Sequence, residues 1–377
     1  MRIAVNTRFL LSSYLEGYGR FTFEIFKRVV EAHPQHEFIF IFDRPYDPRF
    51  VFGPNVQPVV AGPEARHPLL WKWWYDYRLP SVLKKLEADV FVSPDGFCSL
   101  RTKIPQVTVI HDLAFLHRPN DIARSHLWFY KKYTPRFIKK SRALITVSEA
   151  SKQDILAHYP GAAGKITVVH NAAREGFRPL SWEQKQQVKE QYAEGREYFV
   201  YTGSIHPRKN LVNLLKAFSI FKKWQHSEMK LLLCGRPAWK NEEFQKSLST
   251  YKYRNDVHLT GYLPDEELYA VTAAAYAMVY PSHFEGFGLP VVEAMQSGVP
   301  VIAVGTPALM ETGGDAALYA PADDIEQLAA QMMFIYKDEH LRAQQIEKGR
   351  KQAATFNWEK SAEAVWSCML QAAGKID

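Results

Sequence analysis

Short apolar runs alternate along this chain with longer stretches of helical period. Residues 3–6, 38–42, 89–92, 106–110, 143–147 and 165–169 read as strands in the first half, and 197–202, 230–234, 257–259 and 277–280 in the second. Each is too short for a helix and apolar enough for a sheet covered on both faces. Between them lie amphipathic helices. Phe21, Ile25, Phe26 and Val29 share one face of the first, and Leu211, Leu214, Leu215 and Phe218 share one face of a later one. This alternation predicts an α/β protein with two parallel sheets. The proline-rich stretch 43–68 reads as mostly loop, 323–351 as helical and 356–373 as a last helix. Ser148 and Asp265 are expected to cap helices, with Ser151 as the second choice for the former.

The most informative stretch is PSHFEGFGLPVVEAMQSGVP, residues 281–300. It reads as a strand end, a glycine loop, a helix and a turn into the next strand. Gly286 and Gly288 permit backbone that other residues resist, and Pro290 suits a first helical turn. Two carboxylates remain, Glu285 before the loop and Glu293 inside the helix. A helix N-terminus beside the C-terminal edge of a parallel sheet is where such sheets bind ligands. Either carboxylate alone is as well explained by helix-dipole pairing or solvation.

Three further places offer chemistry. Gly17 and Gly19 lie just ahead of the first helix, although Thr22 occupies the third glycine position of a dinucleotide fingerprint. Arg208 and Lys209 fall at a helix start, where cations oppose the helix dipole unless an anion binds there. His111 and Asp112 stand at the C-terminal end of a strand, with His117 a second candidate histidine. In the aromatic run LLWKWWYDYRL, helical spacing buries Leu70, Trp74 and Tyr77 and leaves Trp71, Lys72 and Trp73 outside. Core packing is the ordinary account of such a run, and an acceptor-side or membrane-interface patch is the other. Residues 118–140 are basic and aromatic, which suits a solvated helix face or an anionic surface.

Composition narrows the class. The chain has 377 residues, 47% of them hydrophobic and 23% charged, enough for two domains. A net charge of +7 suggests anionic partners. Cys98, Cys234 and Cys368 are odd in number and widely spaced, which argues against a disulfide framework and for a reducing compartment. MRIAVNTRFLL enters a strand pattern directly, and no apolar run reaches the roughly 18 residues of a membrane span. A cytoplasmic location is expected, with peripheral contact on the cytoplasmic face of an anionic membrane suggested by the basic segment. Neither a D-x-D motif nor a ligand-spaced histidine cluster is present in the sequence, so no metal is expected.

The spacing Glu285-x7-Glu293 with EGFGLP between resembles the signature element of retaining nucleotide-sugar glycosyltransferases of family 4, group 1. The resemblance spans essentially the whole chain. It implies the GT-B architecture: two Rossmann-like doubly wound domains facing a cleft. Residues 1–173, completed by a helix at about 358–377, would form the acceptor-side domain, and 174–357 the nucleotide-sugar domain. It also implies roles. Gly203, Arg208 and Lys209 match the diphosphate-binding element, Gly235 and Tyr262 flank the base, and Gly17 and Gly19 reach the diphosphate or acceptor. Glu293 takes the ribose hydroxyls, while Gly286, Phe287, Gly288 and Leu289 line the donor. Glu285 and His111 contact the transferred sugar and, with Arg208 and Lys209, support charge in the transition state. The implied reaction moves a hexose, mannose or glucose, from a GDP- or UDP-sugar to a glycan or lipid-linked acceptor, with no cofactor. A sugar phosphorylase or epimerase of the same architecture, or a non-catalytic nucleotide-sugar-binding protein, is the alternative. No RRM, KH or zinc-finger signature points to nucleic acid.

Overall fold

The computed structural model describes residues 1–12, 15, 17–237 and 242–375. The chain divides into two compact units, one comprising Met1–Asn171 and the C-terminal stretch from Asn357, the other Ala172–Phe356.

The first unit holds β1 (Arg2–Asn6), β2 (Glu37–Phe42), β3 (Val56–Val60), β4 (Val90–Ser93), β5 (Gln106–Val109), β6 (Ala143–Thr146) and β7 (Ile166–Val168). They form one parallel sheet in the order β3-β2-β1-β4-β5-β6-β7. The chain starts at β1, winds outward to β3, then returns to β4 on the other side of β1. The winding direction reverses between β1 and β4, which opens a crevice at their C-terminal ends. Ile3, Ala4, Val5, Val90, Phe91 and Val92 are fully buried, as a sheet covered on both faces requires.

The second unit repeats the plan with β8 (Tyr198–Thr202), β9 (Lys230–Cys234), β10 (Val257–Gly261), β11 (Ala277–Tyr280), β12 (Val301–Val304) and β13 (Ala317–Ala320). Their order is β10-β9-β8-β11-β12-β13, all parallel. The reversal here falls between β8 and β11.

The structure refines or corrects the sequence expectations at four places. Residues 43–68 contain β3, hidden by Pro58; the strand lies on the sheet edge, where a missing N–H is tolerated. The stretch 323–351 is two helices, Ile325–Lys337 and Glu339–Ala353. Asp338 is extended between them, and its side chain accepts from Leu341 N at 2.8 Å, so a cap interrupts the helical pattern. Asp265 does not cap its helix; it is the first helical residue, after Pro264.

The aromatic run is the fourth. Trp71, Trp74 and Tyr75 are buried, whereas Leu70 and Tyr77 are exposed. A π-helical turn at Trp74–Arg78 shifts the faces away from the ideal helical period. The buried indoles donate to carbonyls, Trp71 to Ala65 O at 2.8 Å and Trp74 to Ala61 O at 2.6 Å, which meets the cost of burying them.

The last helix, Trp358–Ala373, belongs to the first unit. It lies against the helix Tyr18–Ala32, where Arg28 Nε donates to Glu359 at 2.8 Å and Trp366 stacks on His33 at 3.7 Å.

Candidate functional site

In the second unit, the loops leaving β8 and β11 are joined at the winding reversal. His283 N donates to Arg208 O at 2.9 Å, and Ser282 Oγ lies 3.3 Å from the same oxygen. Arg208 and Lys209 do not start the long helix. They form the 3₁₀ turn Pro207–Lys209, and Asn210 then adopts left-handed backbone (φ 59°) before the helix Leu211–Gln225.

These two cations converge on Glu285. Lys209 Nζ donates to Glu285 Oε1 and, at 2.7 Å, to the Tyr280 hydroxyl. Arg208 Nη1 donates to Phe284 O at 2.7 Å and lies 3.4 Å from Glu285 Oε2. Ser282 Oγ at 2.5 Å and Tyr280 OH at 3.2 Å complete the bonds to Oε1. The Glu285 carboxyl group is only 10% exposed. Burial alone would raise its pKa, but Lys209 and then Arg208 outweigh it and bring the carboxyl down to about 2. Glu285 is therefore ionised at neutral pH and is no general acid. It can accept hydroxyl bonds and hold the two cations in place. Burial and the adjacent Glu285 charge push the Tyr280 hydroxyl well up, so it stays a neutral donor.

The following helix, Leu289–Gln296, starts after Gly288, whose φ of 105° favours glycine. Glu293 lies on it and is buried, with Oε1 accepting from Arg174 Nε at 2.7 Å. Arg174 also reaches Asp265 at 2.8 Å, and its guanidinium lies 4.7 Å from the Phe177 ring centroid. Sequence reasoning missed Arg174, which stands at the expected boundary between the two domains. No local pattern signalled its partner, which lies 119 residues away in the sequence.

The other donor-lining residues are placed unevenly. Phe287 is a core residue, its ring 5.2 Å from Phe356 and its carbonyl accepting from Thr312 Oγ1 at 2.6 Å, so its side chain serves packing. Gly286 is buried and Leu289 half-buried. Gly203 and Gly235 touch backbone to backbone: a Cβ on Gly235 would lie 1.9 Å from Gly203 O. Tyr262 is exposed beyond β10, the edge strand two places from β8.

In the first unit, Gly17 caps the helix Tyr18–Ala32 with φ 41°. Gly19 lies inside that helix rather than ahead of it; a Cβ there would lie 2.3 Å from Phe9 O. His111 follows β5. Its Nε2 lies 2.9 Å from Pro94 O, and since a carbonyl only accepts, that nitrogen carries the proton. The ring packs on Tyr18 (4.7 Å) and Phe21 (5.1 Å). Burial lowers its pKa against the opposing pull of the Pro94 bond, Asp112 and Asp95, favouring neutral imidazole. Ser148 caps its helix, accepting from Ser151 N at 2.9 Å, while Ser151 Oγ donates to His111 O at 3.1 Å.

A buried network supports this edge and was not foreseen. Arg8 Nε donates to Asp95 Oδ2 at 2.8 Å, Tyr75 OH to Asp95 Oδ1 at 2.7 Å, and Asn6 Nδ2 to Asp95 Oδ2 at 2.9 Å. Asp95 adjoins Pro94, whose carbonyl holds His111. No local pattern signals this network, because its members come from three separate segments.

Solved structures share this architecture. Sucrose-phosphate synthase from Thermosynechococcus elongatus matches with a TM-score of 0.80 over 98% of both chains at 18% identity. WaaG, a glycosyltransferase involved in lipopolysaccharide biosynthesis, matches at 0.78 over 97% of this chain and 99% of its own, at 16% identity. Anabaena HepE, solved in complex with UDP and glucose, matches at 0.75 over 97% and 98%, at 16% identity. The fold is that of the GT-B glycosyltransferases. The family model for glycosyltransferase family 4 matches residues 16–174, and that for glycosyl transferases group 1 matches residues 183–352. The chain belongs to this glycosyltransferase family. Among its relatives, O-antigen chain mannosyltransferase B of Escherichia coli is 26% identical over 92% of this chain and 93% of its own. O-antigen chain mannosyltransferase RfbU of Salmonella typhimurium is 28% identical over 72% of each. Among the described residues, no helix is long and apolar enough to cross a membrane.

Proposed function

We propose that this protein is a retaining, metal-independent hexosyltransferase in cell-surface polysaccharide synthesis. It moves mannose or glucose from a GDP- or UDP-sugar to a glycan or lipid-linked acceptor. The names of the relatives favour mannose, and the basic aromatic helix Arg124–Lys140 favours work at the cytoplasmic face of an anionic membrane. The observation that carries the reading is the convergence of Arg208 and Lys209 at the reversal between β8 and β11, held there by Glu285.

Cleaving the anomeric C–O bond puts negative charge on the departing diphosphate. Lys209 and Arg208 are already oriented and largely desolvated, so they stabilise that charge without reorganising. Glu293, fixed by Arg174, accepts from ribose hydroxyls through its remaining lone pairs. Neutral His111 accepts a sugar hydroxyl at Nδ1. The acceptor oxygen attacks on the face the diphosphate leaves, and a leaving phosphate oxygen takes its proton, which gives retention.

The test is nucleotide release and thermal shift with a panel of GDP- and UDP-sugars in EDTA, for the wild type and Lys209→Met. Selective stabilisation by one donor, EDTA-resistant release and loss of release in the variant support the reading. No response to any donor overturns it.

A further inference from the structure

Three side chains meet at a point of the first unit that the proposed reaction does not use. His117 ends the short helix Ala114–His117, and Asp154 and His158 lie on the helix Glu149–His158. Asp154 and His158 are spaced i, i+4, so they share a helix face. His117 Nε2 lies 2.8 and 2.9 Å from the two Asp154 carboxylate oxygens, and His158 Nδ1 lies 3.2 Å from Oδ1. One ligand atom from each residue falls within 4.8 Å of the others.

The ordinary account is two histidines bonded to a surface carboxylate; His158 Nδ1 also lies 3.0 Å from Asp154 O of its own helix. Several observations favour more. Tetrahedral ligands at about 2.1 Å from one ion stand about 3.4 Å apart. The carboxylate–imidazole spacings of 2.8–3.2 Å fall just short of that value, so small side-chain rotations that widen them suffice. The set is two imidazoles and one carboxylate, which suits zinc and similar borderline ions rather than the oxygen-seeking magnesium or calcium. His117 and His158 are about two-fifths exposed, leaving access for an ion and room for water in a fourth position. The three residues also link two elements of consequence: the segment that follows β5 past His111, and the helix whose Ser151 holds the His111 carbonyl.

We propose that His117, Asp154 and His158 form a binding site for one zinc-class divalent cation, which ties the segment behind His111 to the helix Glu149–His158. The site requires no nucleotide sugar and lies in the first unit, whereas the Arg208–Lys209–Glu285 cluster lies in the second. Its success or failure is therefore read separately from that of the transferase reading.

The test is Zn²⁺ titration of metal-stripped full-length protein by calorimetry, with Co²⁺ visible absorption as the second readout. Wild type is expected to take up one ion, to show cobalt bands of a nitrogen–oxygen site, and to gain about 2–4 °C in Tm. Asp154→Asn and His158→Gln each weaken uptake by about tenfold or more, while His258→Gln, an exposed histidine of the other unit, leaves it unchanged. Each variant's Tm in EDTA is the baseline for its own shift, so lost pairing is not mistaken for lost metal. No uptake by wild type, or uptake by the two site variants within about tenfold of it, overturns the proposal.

Discussion

Arg174 Nε donates to Glu293 Oε1 at 2.7 Å across 119 residues of sequence. Both side chains are buried, so the ion pair lies in a weakly solvated place. Removing one partner strands the other. Arg174→Ala should therefore cost about 3–5 kcal/mol of stability in the second unit, read as a lowered urea midpoint. The double variant Arg174→Leu/Glu293→Leu should recover much of that stability but not donor binding. A small effect of Arg174→Ala on both stability and donor affinity would refute the positioning role.

Lys209→Met should reduce kcat by about 100-fold, with a smaller change in KM, because the charge it stabilises develops as the diphosphate leaves. It also leaves Glu285 with a weaker counter-charge. Lys209→Met/Glu285→Gln should regain Tm without regaining kcat. Recovery of both would reduce Lys209 to a structural partner of Glu285.

Acid stability should carry the signature of Glu285. Its carboxyl titrates near 2 in the folded chain against an ordinary value of 4.5. The unfolded chain takes up this proton first. The contribution is complete above about pH 4.5 and is lost as pH falls toward 2. Its size is on the order of 3 kcal/mol. Glu285→Gln should lack this component, so the stability difference between wild type and variant should shrink steadily from pH 5 to pH 2.5 (roughly the titration window). A difference independent of pH would show that Glu285 is not held ionised.

His111 should titrate below 6.5, with Nε2 protonated in its neutral form. Nitrogen-15 chemical shifts across a pH series read both the tautomer and the midpoint. A midpoint at or above 6.5, or protonation at Nδ1 alone, would remove His111 as a neutral acceptor toward a sugar hydroxyl.

The strand runs were legible because buried parallel strands are continuous apolar segments that periodicity detects. β3 escaped because Pro58 looks like a breaker until the strand is known to be an edge. β13 escaped because ALYA, behind two glycines, is too short to stand out. The aromatic run was misassigned at Leu70, Trp71 and Tyr77; a π-helical turn takes Tyr77 out of the ideal period, and no residue type announces such a turn, while Leu70 and Trp71 precede it.

By itself, the sequence determined the parallel α/β plan, the glycine-bounded loop from Glu285 to Gly288, and the presence of two adjacent cations just ahead of a helix. These are local matters of period, backbone permission and charge beside a dipole, and local spacing encodes them. The tertiary structure alone decided which charges meet. It brought Lys209 and Arg208 onto Glu285, Arg174 onto Glu293, and Arg8, Asn6 and Tyr75 onto Asp95. Such pairs are made by winding parallel strands so that distant loops emerge on one sheet edge. Their energies depend on the burial found there, which no stretch of sequence carries on its own.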